Sequence, residues 1–468
     1  MMGTATEIAL QVRGGQRSAV EVLQQARALI AAGDLELNCF TERTFARAQR
    51  EAENIDALRA QGAVLPPLAG VPYAAKNLFD IEDVVTLAGA KLNAANPAAR
   101  TDAALVARMR SAGALLMGAL NMDEHAYGFT CENTHYGPTR NPHDALRVSG
   151  GSSGGSAAAV GAGLVPLSLG SDTSGSIRVP ASLCGIFGLK PTYGRLPRSG
   201  TFPFVDSLDH VGPLAGNSVD LALIYDVLQG GDPTDPACAQ RDLEATRARL
   251  KLPPGIRIGV LEGWFREWAG PAAWRSVELA AAALAAHDHC EWRSAEAARA
   301  AAFIITGAEG GALHRAKLTT RYEEFEPASR DRLVAGSLIP ASWVIAAQRA
   351  RRAAYEDALT LFERYDVLVA PAAPVCAPLI GAENLDINGL QVPARASLGL
   401  LTQPISCVGV PACTAPLWPG LDALHMPVGV QLIAAPWRED LCLAAAAALE
   451  AAGVAFAKKS ATAAGGAA

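Results

Sequence analysis

The sequence predicts an α/β protein, and two observations carry that reading. Apolar runs of strand length recur down the chain, and stretches of helical periodicity separate them. Alanine and glycine dominate many of those stretches while aromatic residues make up only 6%, a composition suited to helices packed closely on a sheet. The chain has 468 residues, 50% of them hydrophobic, which is ample for a large buried core. A disordered chain would show the reverse, low apolar content and high charge.

The first helical segment opens at Ser18 and Glu21, which have capping-box spacing, and Val20, Val22, Leu23 and Leu29 follow on a broad apolar face. A second helix is expected over 42–61, ending near Gly62. The run 70–75 reads as a short buried strand that delivers Lys76. An amphipathic helix over 102–112 is closed by Gly113, and 114–120 is again a buried strand. Residues 157–162 read as helix and 164–169 as strand, inside a segment rich in Gly, Ser, Asn and Thr. Further strands are expected at 256–261, 367–370 and 428–433. The stretch 216–254 contains the turn-rich GGDPTDP and KLPPG, and reads as a loop-bearing connection within one fold. Length alone is compatible with two to four domains; the pattern favours a single domain over 1–457 with a flexible tail at 458–468.

Bulk charge excludes some functions. The net charge is −6, with no long run of one sign. Arg349, Arg351 and Arg352 cluster, but on a pattern that reads as a solvated helix face. No basic stripe marks a nucleic-acid footprint. The longest apolar run, 157–170, is broken by Pro166 and falls short of the roughly 18 residues of a membrane span. Nine scattered cysteines without a CxxC pair, and no evident cleavable leader, lead to an expectation of reduced thiols in the cytoplasm.

The informative stretch is 149–192, which holds GGSSGGS and GSDTSGSIR. A flexible linker would lie between domains, whereas this segment is flanked by apolar runs that must be buried. A phosphate-binding loop would need a lysine where Ser156 stands. A nucleophile elbow can be centred on Ser152 or Ser153, but it needs a strong strand before it and histidine and aspartate partners after it; His210, His314 and His425 have no distinctive context. His287, His289 and Cys290 resemble a ligand cluster, yet a hydrolytic metal site would need further ligands and an open position.

Together, GGSSGGS at 150–156 and GSDTSGSIRVPASLCGIFGLKPTYGR at 170–195 closely resemble the signature of the amidase signature family. LAGVPYAAKNLFD, LNMDEHAYGFTCENTHYGPTRNP, YDVLVAP and MPVGVQLIAAP extend the resemblance over nearly the whole chain. It implies a central mixed, twisted sheet flanked by helices on both faces. Residue by residue, it implies that Lys76 is the base, that Ser152 is a relay serine preceded by a cis peptide, and that Ser176, 24 residues further on, is the nucleophile. One departure stands out: Ser174 replaces a glycine of the family's DTGGS pattern, so strain is expected in the loop there.

The same resemblance implies an amidohydrolase that cleaves a C–N bond in a small carboxylated, urea-like amide (1-carboxybiuret) and releases ammonia, with no cofactor and no metal. The alternative it implies is the glutaminase component of a tRNA-dependent amidotransferase; nucleic-acid contact is expected only in that case. The implied partner is a small helical chain that resembles the C subunit of that amidotransferase, with two such units forming a dimer.

The chemistry explains the residue types. A serine hydroxyl is a weak nucleophile and needs an adjacent base. A lysine with its ordinary pKa of about 10.4 would be protonated, but burial lowers that value. The apolar flank Val71, Tyr73, Ala74, Ala75 and Leu78 makes burial of Lys76 the expectation. Candidate oxyanion or substrate-binding residues are Thr173, Ser174, Gly175 and Ser153, with Asp172, Arg178, Tyr127 and Thr130. For Ser153 the plain alternative is a hydrogen bond or helix cap. For Arg178 two roles stand level, steering a substrate carboxylate or pairing with Asp172.

Overall fold

In the computed structural model, which describes residues 2–420 and 425–458, the core is an eleven-stranded sheet. Its strands in chain order are β1 (Phe40–Arg43), β2 (Pro72–Lys76), β3 (Leu115–Leu120), β4 (Leu167–Asp172), β5 (Phe187–Lys190), β6 (His210–Ala215), β7 (Ile258–Leu261), β8 (Asp288–Cys290), β9 (Val367–Pro371), β10 (Ala412–Ala415) and β11 (Val430–Ala434). Their order across the sheet is β1-β3-β2-β4-β6-β5-β10-β11-β9-β7-β8. The sheet is mixed: β2 runs parallel to both β3 and β4, and β7 to both β8 and β9, while the other pairs are antiparallel. Every residue of β2, β3, β4 and β6 is buried. Helices therefore cover both faces of this part of the sheet, which is what a strand without alternation requires.

The capping box at Ser18 and Glu21 forms as expected and opens the helix Ala19–Leu37. Other boundaries differ for physical reasons. Residues 40–43 are strand rather than the start of a helix, because they pair with β3, and the helix begins only at Phe45. The expected strand at 164–169 shifts to Leu167–Asp172, which brings Ser171 and Asp172 onto the sheet. The connection 216–254 contains a buried helix, Ser218–Leu228, capped by Asn217 and nearly apolar along its length. His287 to Cys290 do not end a helix; they enter β8 at the sheet edge, where His289 pairs with Glu262. Arg351 is a strut, donating to the carbonyls of Cys407 and Ser207, whereas Arg352 pairs with Glu356 at the surface. Among the described residues no helix is long and apolar enough to cross a membrane. The expected tail lies, beyond Lys458, outside the described residues.

Candidate active site

Lys76 ends β2, and the adjacent parallel strand β4 ends in Ser171 and Asp172. Ala75 pairs with Leu169, so the residues that follow on both strands emerge together at their carboxyl ends, where open α/β sheets leave a crevice. The lysine is fully buried. Its Nζ lies within hydrogen-bond distance of three hydroxyls, Ser152 Oγ at 2.6 Å, Ser171 Oγ at 2.8 Å and Ser153 Oγ at 3.0 Å. Burial pulls its pKa down to about 7, against the smaller opposing pull of Asp123, Cys131, Asp172 and Asp209.

The Ser153 proton in this cluster can be assigned. Ser153 Oγ donates to the Ser171 carbonyl at 3.0 Å and receives the Ser171 N–H at 3.2 Å. Its single proton is spent, so towards Lys76 it can only accept. A neutral amine has two N–H donors and one lone pair. One N–H goes to Ser153; with the other on Ser171, the lone pair would face Ser152, the shortest contact of the three. The arrangement can draw a proton from Ser152.

Ser152 follows Gly151 across a cis peptide bond, and the helix Gly154–Gly161 starts directly after Ser153. The Ser153 N–H donates to the Ser176 carbonyl at 3.2 Å, tying the Gly-Ser turn to the segment that carries Ser176. Ser176 lines a narrow cavity together with Thr173, Ser174, Tyr127, Phe129, Phe204, Phe303, Thr306, Arg332 and Gln403. A wider, more open cleft of about 550 Å³ lies by the helix Phe45–Ala60. Its walls are charged pairs such as Arg47 with Glu51, and no serine borders it, so it offers no hydroxyl nucleophile, whereas the cavity at Ser176 does.

The loop before Ser176 is held from outside. Gly175 has φ +138°, a conformation that favours glycine, and a Cβ there would lie 2.0 Å from Thr402 Oγ1. Thr402 Oγ1 donates to the Ser174 carbonyl at 2.7 Å. Ser174 is not among the residues of positive φ. The strain expected at Ser174 is therefore absent, and the glycine requirement falls one position later. Among the described residues the N–H groups of Ser174, Gly175 and Ser176 have no acceptor within the chain and remain open to a developing oxyanion. Thr173 is fixed through its Oγ1, which donates to Asp209 at 2.6 Å.

Four expected contacts are corrected. Arg178 does not face substrate: it is fully buried, and its guanidinium donates to both Asp172 oxygens, Gln431, Ser406 and the Thr402 carbonyl. Asp172 is likewise committed. Burial alone would push its carboxyl up, but Arg178 overrides this and holds it well below the usual range. Ser153 is fully buried beside Lys76 and is not among the residues lining the Ser176 cavity; it makes the plain hydrogen bonds rather than a substrate contact, and it forms no side-chain cap. Thr130 is buried just behind the cavity wall, which ends at Phe129. Tyr127 does line the cavity, with its ring 4.9 Å from that of Phe204.

Sequence reasoning missed several residues. Ser171 is the third hydroxyl at Lys76, and only the sheet register reveals it. Thr402 and Gln403 arrive from more than two hundred residues away. Arg332 is the sole basic residue of the cavity wall among the described residues. Its guanidinium lies 3.7 Å from the Tyr127 ring centre and makes only a long 3.5 Å contact to the Tyr127 carbonyl. It has no carboxylate partner among the described residues, so it presents a desolvated positive charge to whatever enters.

The Amidase family profile matches residues 21–443. The chain is 56% identical to AtzE, a component of 1-carboxybiuret hydrolase from Pseudomonas sp. (strain ADP), over 455 residues, covering 96% of this chain and 98% of that relative. It is 36% identical to the A subunit of glutamyl-tRNA(Gln) amidotransferase from Moorella thermoacetica, covering 90% of each. Among solved structures it superposes with a TM-score of 0.96, at 56% identity and over 97% of this chain and all of the other, on one described as an unexpected vestigial protein complex that reveals the evolutionary origins of an s-triazine catabolic enzyme.

Proposed function

This chain belongs to the amidase signature family of amide hydrolases, and from that premise we propose that it hydrolyses a small carboxylated, urea-like amide of the 1-carboxybiuret kind, releasing ammonia. The observation that carries the mechanism is the buried Lys76, its pKa lowered to about 7, with Nζ 2.6 Å from Ser152 Oγ. Ser176 gives its proton to Ser152, which passes its own to the neutral Lys76. The Ser176 oxygen then bonds to the amide carbon. The oxyanion takes the open N–H groups of Ser174, Gly175 and Ser176. The chain of protons runs back from Lys76 through Ser152 to the departing nitrogen, the C–N bond breaks and ammonia leaves. Water, deprotonated along the same route, hydrolyses the acyl-enzyme. Proton transfer of this kind contributes about 10²- to 10⁴-fold in rate.

The substrate class rests on Arg332 and on the identity of the relative. An unpaired guanidinium beside the nucleophile suits a carboxylate, and the cavity is small. The relative at 56% identity acts on 1-carboxybiuret by name. That relative is named as one subunit of its enzyme, and its solved counterpart is described as a complex; both support a partner subunit for this chain, which we take to be a small helical one, with two such pairs forming a dimer. A cytoplasmic location fits the same reading. The other reading, the glutaminase component of a tRNA-dependent amidotransferase, draws on relatives at 34–36% identity. Ammonia release from 1-carboxybiuret, compared between the protein and its Ser176→Ala variant, tests the proposal. Loss of release in the variant is expected. Unaltered release would refute the mechanism, and glutamine hydrolysis dependent on aminoacyl-tRNA would move the substrate to the second reading.

A further inference from the structure

Four groups bear on the charge of Lys76, and three of them are closed. Asp172 is neutralised by Arg178. The Asp209 oxygens are taken by Thr173 and by the N–H groups of Phe204 and Val205. Burial pushes the Cys131 thiol up to about 12, so it is uncharged. The fourth, Asp123, is different. It is fully buried, its Oδ2 accepts the Cys131 N–H at 3.0 Å, and its Oδ1 has no hydrogen bond. It lies hard against the relay turn, since a Cβ on Gly151 would sit 2.0 Å from Asp123 Oδ2. Arg395, from the helix Ala394–Ser397, stands 3.3 Å from Oδ1 and is itself held by Glu326 at 2.6 Å.

We propose that Asp123, kept ionised by Arg395, is a positioning residue of the relay: its carboxylate backs the Gly151–Ser152 turn and supplies the negative charge that faces the ammonium Lys76 becomes on taking the nucleophile's proton. The inference rests on Lys76 being the base. Burial pushes Asp123 up towards neutrality, and Arg395 is the largest influence in the opposite direction, ahead of the Cys131 N–H and Lys76 itself. Glu132 also faces Asp123, and Arg332 and Glu326 bear on Arg395. Asp123 and Lys76 thus form a pair whose active state, carboxylate with neutral amine, carries one net negative charge.

Two variants should move this pair in opposite directions. Asp123→Asn removes the charge that favours the ammonium, so the acid limb of the activity profile falls by about one pH unit or more. Arg395→Gln removes the positive charge that favours the active pair, so the limb rises; Arg395→Lys returns it towards the starting value. The readout is the rate of Ser176 sulfonylation by phenylmethanesulfonyl fluoride against pH, which needs no substrate, with thermal melting as the fold control. Opposite displacements support the inference. Slower labelling with an unmoved limb in both variants overturns it, since packing alone would do that. Should Asp123→Asn not fold, the Arg395→Gln limb decides alone, alkaline displacement supporting and an unmoved limb overturning. A limb that persists in Lys76→Met shows instead that Lys76 is not the base, and the inference falls with that reading.

Discussion

Replacing Lys76 with methionine, which keeps the length and removes the amine, probes the mechanism quantitatively. A base must be neutral to act. With its pKa drawn down to about 7 by burial, Lys76 is roughly 9% neutral at pH 6 and roughly 91% neutral at pH 8. The kcat/KM for ammonia release should therefore rise about tenfold between those values and then level. A lysine at its ordinary pKa would be less than about 1% neutral at pH 8, and the rate would keep climbing about tenfold per unit towards pH 10. Lys76→Met should remove the limb and lower the plateau by about 10²- to 10⁴-fold. A profile still rising log-linearly at pH 9, or a variant that keeps both rate and limb, would refute the reasoning. The same shift acts on stability. Below about pH 7 both the folded and unfolded chains hold the proton, and the folded state carries the full cost of a buried ammonium. As the pH rises from there towards about 10.5, the unfolded chain alone keeps the proton, so this residue adds at most about 1.4 kcal/mol of stability per pH unit. Urea unfolding of the methionine variant should show a shallower rise across that window.

Other outcomes follow from named contacts. Arg332→Met should raise KM for the carboxylated substrate by about 10- to 100-fold with a smaller change in kcat, the size of a lost charge-assisted hydrogen-bond pair; an equal loss on an uncharged amide would contradict the assignment. Ser174→Gly should retain activity within a few-fold, because Ser174 needs no glycine conformation, while Gly175→Ala should abolish most of it by driving a Cβ into Thr402; steady-state rates of the two variants check this together. Arg178→Met leaves Asp172 as an unpaired buried charge and should cost about 3–5 kcal/mol in chemical denaturation; a loss of affinity at unchanged stability would restore Arg178 to the substrate.

Much of the site is written locally, and the rest is not. Lys76, Ser152 and Ser176 are legible because each sits in a short segment whose composition is hard to explain otherwise: an apolar strand ending in lysine, and two Gly-Ser blocks within one buried stretch. Ser171 lies inside the second block, yet only the parallel register of β2 and β4 shows that it faces Lys76. Arg178 is balanced between two roles in the sequence because its partners are split. Asp172 is six residues away, but Ser406 and Gln431 are more than two hundred, and these distant acceptors are what close the guanidinium off from the cavity. Arg332 lies in the helix Pro327–Ser337, where Arg330 is an equally good candidate by sequence; packing against Tyr127 separates them. In the fold, the buried strands β2, β3, β4, β7, β9 and β11 announce themselves through continuous apolar runs. β5, β6 and β10 are as central but carry Gly, Pro, Lys, His or Thr within short runs, and β1 and β8 are short edge strands defined by their neighbours rather than by their own residues.

The central claim is that Ser176 forms a covalent acyl-enzyme with its proton removed through Ser152 to Lys76. Intact-mass and peptide-level mass spectrometry after reaction with a sulfonyl fluoride tests it most directly. One adduct per chain, located on Ser176 and abolished by Ser176→Ala and by Lys76→Met, is the predicted result. An adduct on Ser152 or elsewhere, or undiminished labelling in the Lys76 variant at pH 8, would contradict the account.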